Sequence, residues 1–129
     1  MRAILDTHIW LWMVSQPERL SAEARTLIES SRNELQLSTA SIWEISIKYS
    51  TGKLELPGPP ASIIPDWMVR SRVSALPVDQ DHALVVAELP LHHRDPFDRM
   101  LIAQSRLEKM PIVTRDPAFD AYDVEVIRA

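Results

Sequence analysis

A chain of 129 residues, 46% apolar and 25% charged, has the material for one compact core and too little length for two. Its 14 Lys and Arg against 18 Asp and Glu leave a net charge of −4, which argues against a protein that grips nucleic acid by bulk charge. No cysteine is present, which excludes disulfides, thiolate metal sites and thiol catalysis together.

The short apolar run Arg2–Leu5, ending at Asp6, reads as a first buried strand. The longest apolar stretch, Ile9–Val14, is far too short to cross a bilayer, so the expectation is a soluble, cytoplasmic chain with no membrane segment. Ser21–Ser31 carries Ala22, Ala24, Leu27 and Ile28 at helical spacing, with Ser21 as its N-cap. Leu35–Ser38 reads as a strand, and Ala40–Ser50 as an apolar helix closed by Gly52. The run Leu56-Pro57-Gly58-Pro59-Pro60 can continue neither a helix nor a central strand, yet each side of it is too small to fold alone. One domain over 1–129 is therefore expected.

Ala61–Val73 reads as helical with a kink or restart at Pro65, and Ser74–Val78 as a strand. Asp79 is placed to cap a helix running through Leu89. Asp95-Pro96 opens another, proline standing at its favoured first position, and the pattern runs to about Met110. Pro111–Thr114 and Val124–Ile127 complete the strands. Strands separated by helices predict an α/β fold whose mostly parallel sheet is covered on both faces, with ligands outside the carboxyl ends of the strands. Two glycines against ten prolines exclude a glycine-rich phosphate loop.

Acids stand at the element junctions. Asp6 ends the first strand, Asp116 stands just after Ile112-Val113-Thr114, Glu44 lies early in a helix, and Asp95 and Asp98 open the Pro96 helix. In a parallel sheet such positions share one edge. Carboxylates gathered there repel one another unless a cation neutralises them, and hard oxygen donors favour Mg²⁺ or Mn²⁺ over zinc. Each acid also has a plain reading. Asp95 suits an N-cap, Asp98 suits a helix dipole, Glu44 and Lys48 are spaced for a surface pair, and Asp116-Pro117 suits a turn. Against the surface pair, Ile42, Trp43, Ile45 and Ile47 leave little solvated face on that helix. The tryptophans read as core, His8 and His82 as surface or packing residues, and His92-His93 cannot both face one metal.

Four stretches resemble the PIN-domain ribonucleases, and within them the VapC-like toxins. They are Ile4-Leu5-Asp6-Thr7-His8 with Leu11-Trp12; Ser41-Ile42-Trp43-Glu44-Ile45 with Lys48 and Gly52-Lys53-Leu54; the run from His93 to Gln104; and Val113-Thr114-Arg115-Asp116. The resemblance implies a three-layer α/β/α sandwich and a Mg²⁺- or Mn²⁺-dependent endoribonuclease that cuts RNA. It also implies a homodimer inhibited by a cognate antitoxin protein. By position it implies an acidic centre of Asp6, Glu44, Asp98 and Asp116, with Asp95, Thr7 and Thr114 supporting it. Lys48, Arg94, Arg99 and Arg115, close to those acids in sequence, are the expected contacts to RNA. A magnesium-dependent small-molecule phosphohydrolase and a non-catalytic partner-binding module are the alternatives. The first of these commonly wants an acid two residues after the leading aspartate, where this chain has His8.

Overall fold

The structure, a computed structural model, describes residues 1–129. Five strands, β1 (Arg2–Leu5), β2 (Glu34–Ser38), β3 (Val73–Leu76), β4 (Ile112–Thr114) and β5 (Val126–Arg128), form one sheet in the order β3-β2-β1-β4-β5. Every pairing is parallel, with no antiparallel edge. The helices are α1 (Thr7–Ser15), α2 (Ala22–Glu29), α3 (Thr39–Ser50), α4 (Pro60–Ser71), α5 (Gln80–Val85) and α6 (Pro96–Glu108).

Period-two alternation divides the sheet's side chains between two cores. Ala3, Leu5, Leu35, Leu37 and Val113 pack with Trp10 of α1, Ala24 of α2, Ile45 of α3 and Ile64 of α4. Ile4 and Ile112 pack the other way, against Leu101, Ile102 and Ala103 of α6 and against Phe119. These are the three layers expected. The chain runs outward from β1 to β2 and β3, then returns to β4 on β1's other side. The strand order therefore reverses between β1 and β4, where an open parallel sheet leaves a crevice beyond its carboxyl ends.

Local signals account for most boundaries. Ser21 accepts from the Ala24 N–H, and Asp79 and His82 form a reciprocal capping box at α5. Gly52, at φ +75°, closes α3 in a left-handed conformation that other residues adopt at a cost.

Several expectations need correction. Thr7–Ser15 is a helix that begins straight after β1, with Asp6 as its N-cap residue but no side-chain cap bond. α4 runs unbroken through Pro65. α5 ends at Val85 and gives way to a 3-10 turn over Val86–Glu88, short of Leu89. β3 starts one residue early, at Val73, and stops at Leu76, while β5 is shifted to Val126–Arg128. Trp10 is fully buried, but Trp43 is 64% exposed, so the tryptophans are not all core. No helix is long and apolar enough to cross a membrane.

Candidate acidic centre

β1 ends at Leu5, so Asp6 is delivered to the crevice by the strand itself, and its N–H is held by the Val113 carbonyl at 2.9 Å. The side chain is nearly buried. Thr114 donates its hydroxyl to Asp6 Oδ2 at 2.7 Å and accepts the Asp116 N–H at 3.0 Å, so one side chain ties the first acid to the last. Asp116 is exposed at the head of the 3-10 turn Pro117–Ala121 and accepts from the Ala118 N–H at 2.9 Å.

Glu44 is buried on α3 and Lys48 reaches it at 2.9 Å. The pair allowed by their spacing is real, but it is not an ordinary surface pair, because its acid faces inward. Contrary to expectation, α3 does have a solvated face, which carries Trp43 and Ile47. Thr7 donates to Ser41 at 2.8 Å, pinning the start of α1 to the start of α3. Asp95 caps α6 and accepts from the Phe97 and Asp98 N–H groups at 2.9 and 3.0 Å. Asp98, three residues on, is largely enclosed and lies 3.3 Å from His93 Nε2.

The charges of these acids are felt at Asp98 and, in part, at Asp6. Burial pushes the Asp98 carboxyl up to about 8, and the negative charges of Asp95, Asp6, Glu44 and Asp116 push the same way. Burial also raises Asp6, opposed by the Thr114 hydroxyl, the charge of His8 and the Thr7 N–H, and assisted by Glu44. Asp98 thus feels every other acid that the sequence singles out. A surplus of carboxylates with one lysine among them is chemically suited to a hard divalent cation.

The basic residues divide. Arg94 is exposed beside Asp95. Arg115 lines the cleft with Asp6, His8, Trp12 and Asp116, its guanidinium stacked on Trp12 and donating to the Ala129 and Arg19 carbonyls. Arg99 is a correction. It is 8% exposed and donates to the carbonyls of Val86, Leu89 and Pro90 and to the Tyr122 hydroxyl, so it points into the fold and away from any RNA.

Another group, Asp79, His82 and Glu108, gathers its ligand atoms within 4.8 Å. Here His82 Nδ1 accepts from the Asp79 N–H and Nε2 lies 3.1 Å from Glu108. Both ring nitrogens are committed, so this buried histidine is a strut between α5 and α6, consistent with the packing role expected of it. Sequence reasoning also missed His93 and Tyr122 beside Asp98. The adjacent His92-His93 pair drew attention to itself as a poor metal motif, which concealed the single member facing the acids.

The PIN domain profile matches residues 3–125, and the chain belongs to that family. Ribonuclease VapC16 of Mycobacterium tuberculosis is 47% identical over 68 residues, covering 50% of this chain and 48% of that protein. The match thus spans about half the length of that curated relative. VapBC2 from Rickettsia felis, solved bound to a DNA fragment from its promoter, superimposes with a TM-score of 0.74 at 15% identity, over 99% of this chain and 98% of that one. VapBC-5 from Mycobacterium tuberculosis, a member of the VapBC family of toxin–antitoxin systems, gives 0.64 at 21%, over 99% and 98%. At such identities the likeness is one of fold.

Proposed function

We propose that this chain is a divalent-cation-dependent endoribonuclease, the toxin of a toxin–antitoxin pair. The observation that carries this reading is the convergence on Asp98 of negative charge from Asp6, Glu44 and Asp116, each delivered by a different element. PIN-domain membership and the partial match to a ribonuclease support it. Asp6, Glu44, Asp98 and Asp116 would hold Mg²⁺ or Mn²⁺. When bound, the ion supplies charge neutralisation for a phosphodiester oxygen and a lowered pKa for water. The chain's own residues do the rest. Thr114 orients Asp6, Asp95 fixes the first turn of α6, and Lys48 shares the charge of Glu44. Lys48 on Glu44, Arg115 in the cleft with Asp6 and Asp116, and exposed Arg94, next to Asp95 in the chain, are the contacts proposed for RNA phosphates. A modest local grip suits a net charge of −4.

An antitoxin and a second copy of the chain are the proposed partners. Exposed Trp43 meets Phe97 edge to face at 5.5 Å, beside an apolar groove of about 350 Å³ that Val78, Val86 and Met100 complete. Ile47 adds exposed apolar surface on α3, whereas Ile45 is spent on the core.

Purified protein incubated with RNA in Mg²⁺ or Mn²⁺ should release fragments, and EDTA should stop it. Turnover of a small phosphate ester with RNA left intact would instead identify a small-molecule phosphohydrolase. Absence of both activities would favour a non-catalytic partner-binding module.

A further inference from the structure

Arg99 holds the segment between α5 and α6 from inside, and its chemistry sets the direction of the hydrogen bonds around it. A guanidinium can only donate, so the Tyr122 oxygen accepts from Arg99 Nη1 at 3.1 Å. The same oxygen accepts the backbone N–H of His93 at 3.3 Å. Both lone pairs are then used, and the phenolic hydrogen turns to His93 Nδ1 at 2.8 Å. An accepting Nδ1 puts the proton of the neutral imidazole on Nε2, which faces Asp98 Oδ2 at 3.3 Å. An ionised Asp98 accepts this bond at Oδ2, and the neutral carboxyl does so with its own proton on Oδ1.

We propose that His93 is a positioning residue, set by Arg99 and Tyr122 so that its Nε2–H holds Asp98 Oδ2 and fixes the rotation of the carboxylate that would bind the divalent cation. The inference rests on the reading of Asp98 as a ligand and deepens it. Tyr122 ends the 3-10 turn that Asp116 begins, so the relay also joins the supports of two of the four acids. A shape-filling role would look different. The His93 ring does pack near Phe119 and Tyr122, but packing alone would fix neither ring nitrogen's role.

Two readouts on the full chain test this. Nitrogen NMR of the His93 ring, at a pH where it is neutral, should show a protonated Nε2 and an accepting Nδ1 in the wild type. In Tyr122→Phe the Nδ1 signal should lose the signature of an accepted hydrogen bond. Mn²⁺ titration followed by electron paramagnetic resonance gives the second readout. His93→Ala and His93→Asn should weaken Mn²⁺ binding about 10- to 100-fold, the usual effect of losing a partner that orients a ligand. His93→Gln, whose amide nitrogen falls near the Nε2 position, should restore binding close to wild type, while the Asn amide falls near Nδ1 and should not. A protonated Nδ1 in the wild type would overturn the proposal. So would wild-type Mn²⁺ affinity in His93→Ala, or equal affinities for the Gln and Asn variants at equal melting temperatures. If Asp98→Asn itself bound Mn²⁺ as tightly as wild type, the ligand reading of Asp98 would fail first and take the relay's role with it.

Discussion

Thr114 donates its hydroxyl to Asp6 at 2.7 Å, bridging 108 residues of sequence between the ends of two neighbouring parallel strands. That bond makes the crevice at the strand-order reversal a built feature rather than a gap. It opposes the effect of burial on Asp6 and, through the Asp116 N–H, sets where the fourth acid begins its turn. Thr114→Val keeps the shape but orphans an acceptor and a donor. It should cost about 1–3 kcal/mol of stability and lower RNA cleavage about 10- to 100-fold. Thr114→Ser, which keeps both bonds, should retain most activity. Thermal melts and cleavage rates on the two variants check this.

Asp98 gives a pH dependence with a definite sign. Its ordinary value is 3.8, and in the folded chain it is pushed up to about 8. Between those values the folded chain keeps a proton that the unfolded chain has released. Cation-free protein should therefore lose stability as pH rises from about 4 to about 8. Added Mn²⁺ should reverse the trend and release protons on binding. Asp98→Asn removes the strain, and at pH 8 without metal it should gain about 1–3 kcal/mol, on the order of 4–10 °C. Melting curves across pH, with and without Mn²⁺, read all of these.

Asp95 and Asp98 should separate cleanly. Asp95→Ala loses two accepted N–H bonds at the head of α6 and should cost about 1 kcal/mol while leaving much of the cleavage activity. It also removes a negative neighbour from Asp98, whose titration should move down. Asp98→Ala should keep stability and lose activity. Melts beside cleavage assays distinguish the two.

Arg99 and Arg94 should separate in the opposite sense. Arg99→Met strands several buried carbonyls and the Tyr122 hydroxyl, a loss of about 3 kcal/mol or more. Lysine cannot replace it, having neither the planar fork nor the same number of donors. Arg94→Ala should leave the unfolding free energy within about 0.5 kcal/mol of wild type and weaken RNA binding, more so at low salt. Urea unfolding and a filter-binding titration decide between structural and contact roles.

What was legible in the sequence was local. Ser21 and Asp95 announced helix starts, Asp79 announced a third, and Gly52 announced a stop, because a cap or a positive φ needs only neighbours in the chain. Asp6 stands out in the sequence because it ends a buried strand among apolar residues, whereas Glu44, Asp95, Asp98 and Asp116 each have a plain reading as pair, cap, dipole partner or turn, and only the resemblance joins them into one expected set. What stayed hidden depended on distant partners. Nothing beside Arg99 shows that carbonyls from Val86 to Pro90 will fold over it. Nothing beside His93 shows that Tyr122, 29 residues on, will choose its tautomer. Pro65 sits in the first half of α4, where its missing N–H costs one bond that tertiary packing outweighs. Trp43 pattern-matched to core, since periodicity marks an apolar position without saying what covers it.

The most direct test of the acidic centre is RNA cleavage in Mn²⁺ by wild type, Asp6→Asn and Asp98→Asn, with folding of each verified by its melting transition. Both substitutions keep the shape of the side chain and remove a charged oxygen donor. Cleavage should fall by on the order of 100-fold or more in both variants, and to nothing for wild type in EDTA. Wild-type rates in either folded variant, or undiminished cleavage in EDTA, would contradict the account.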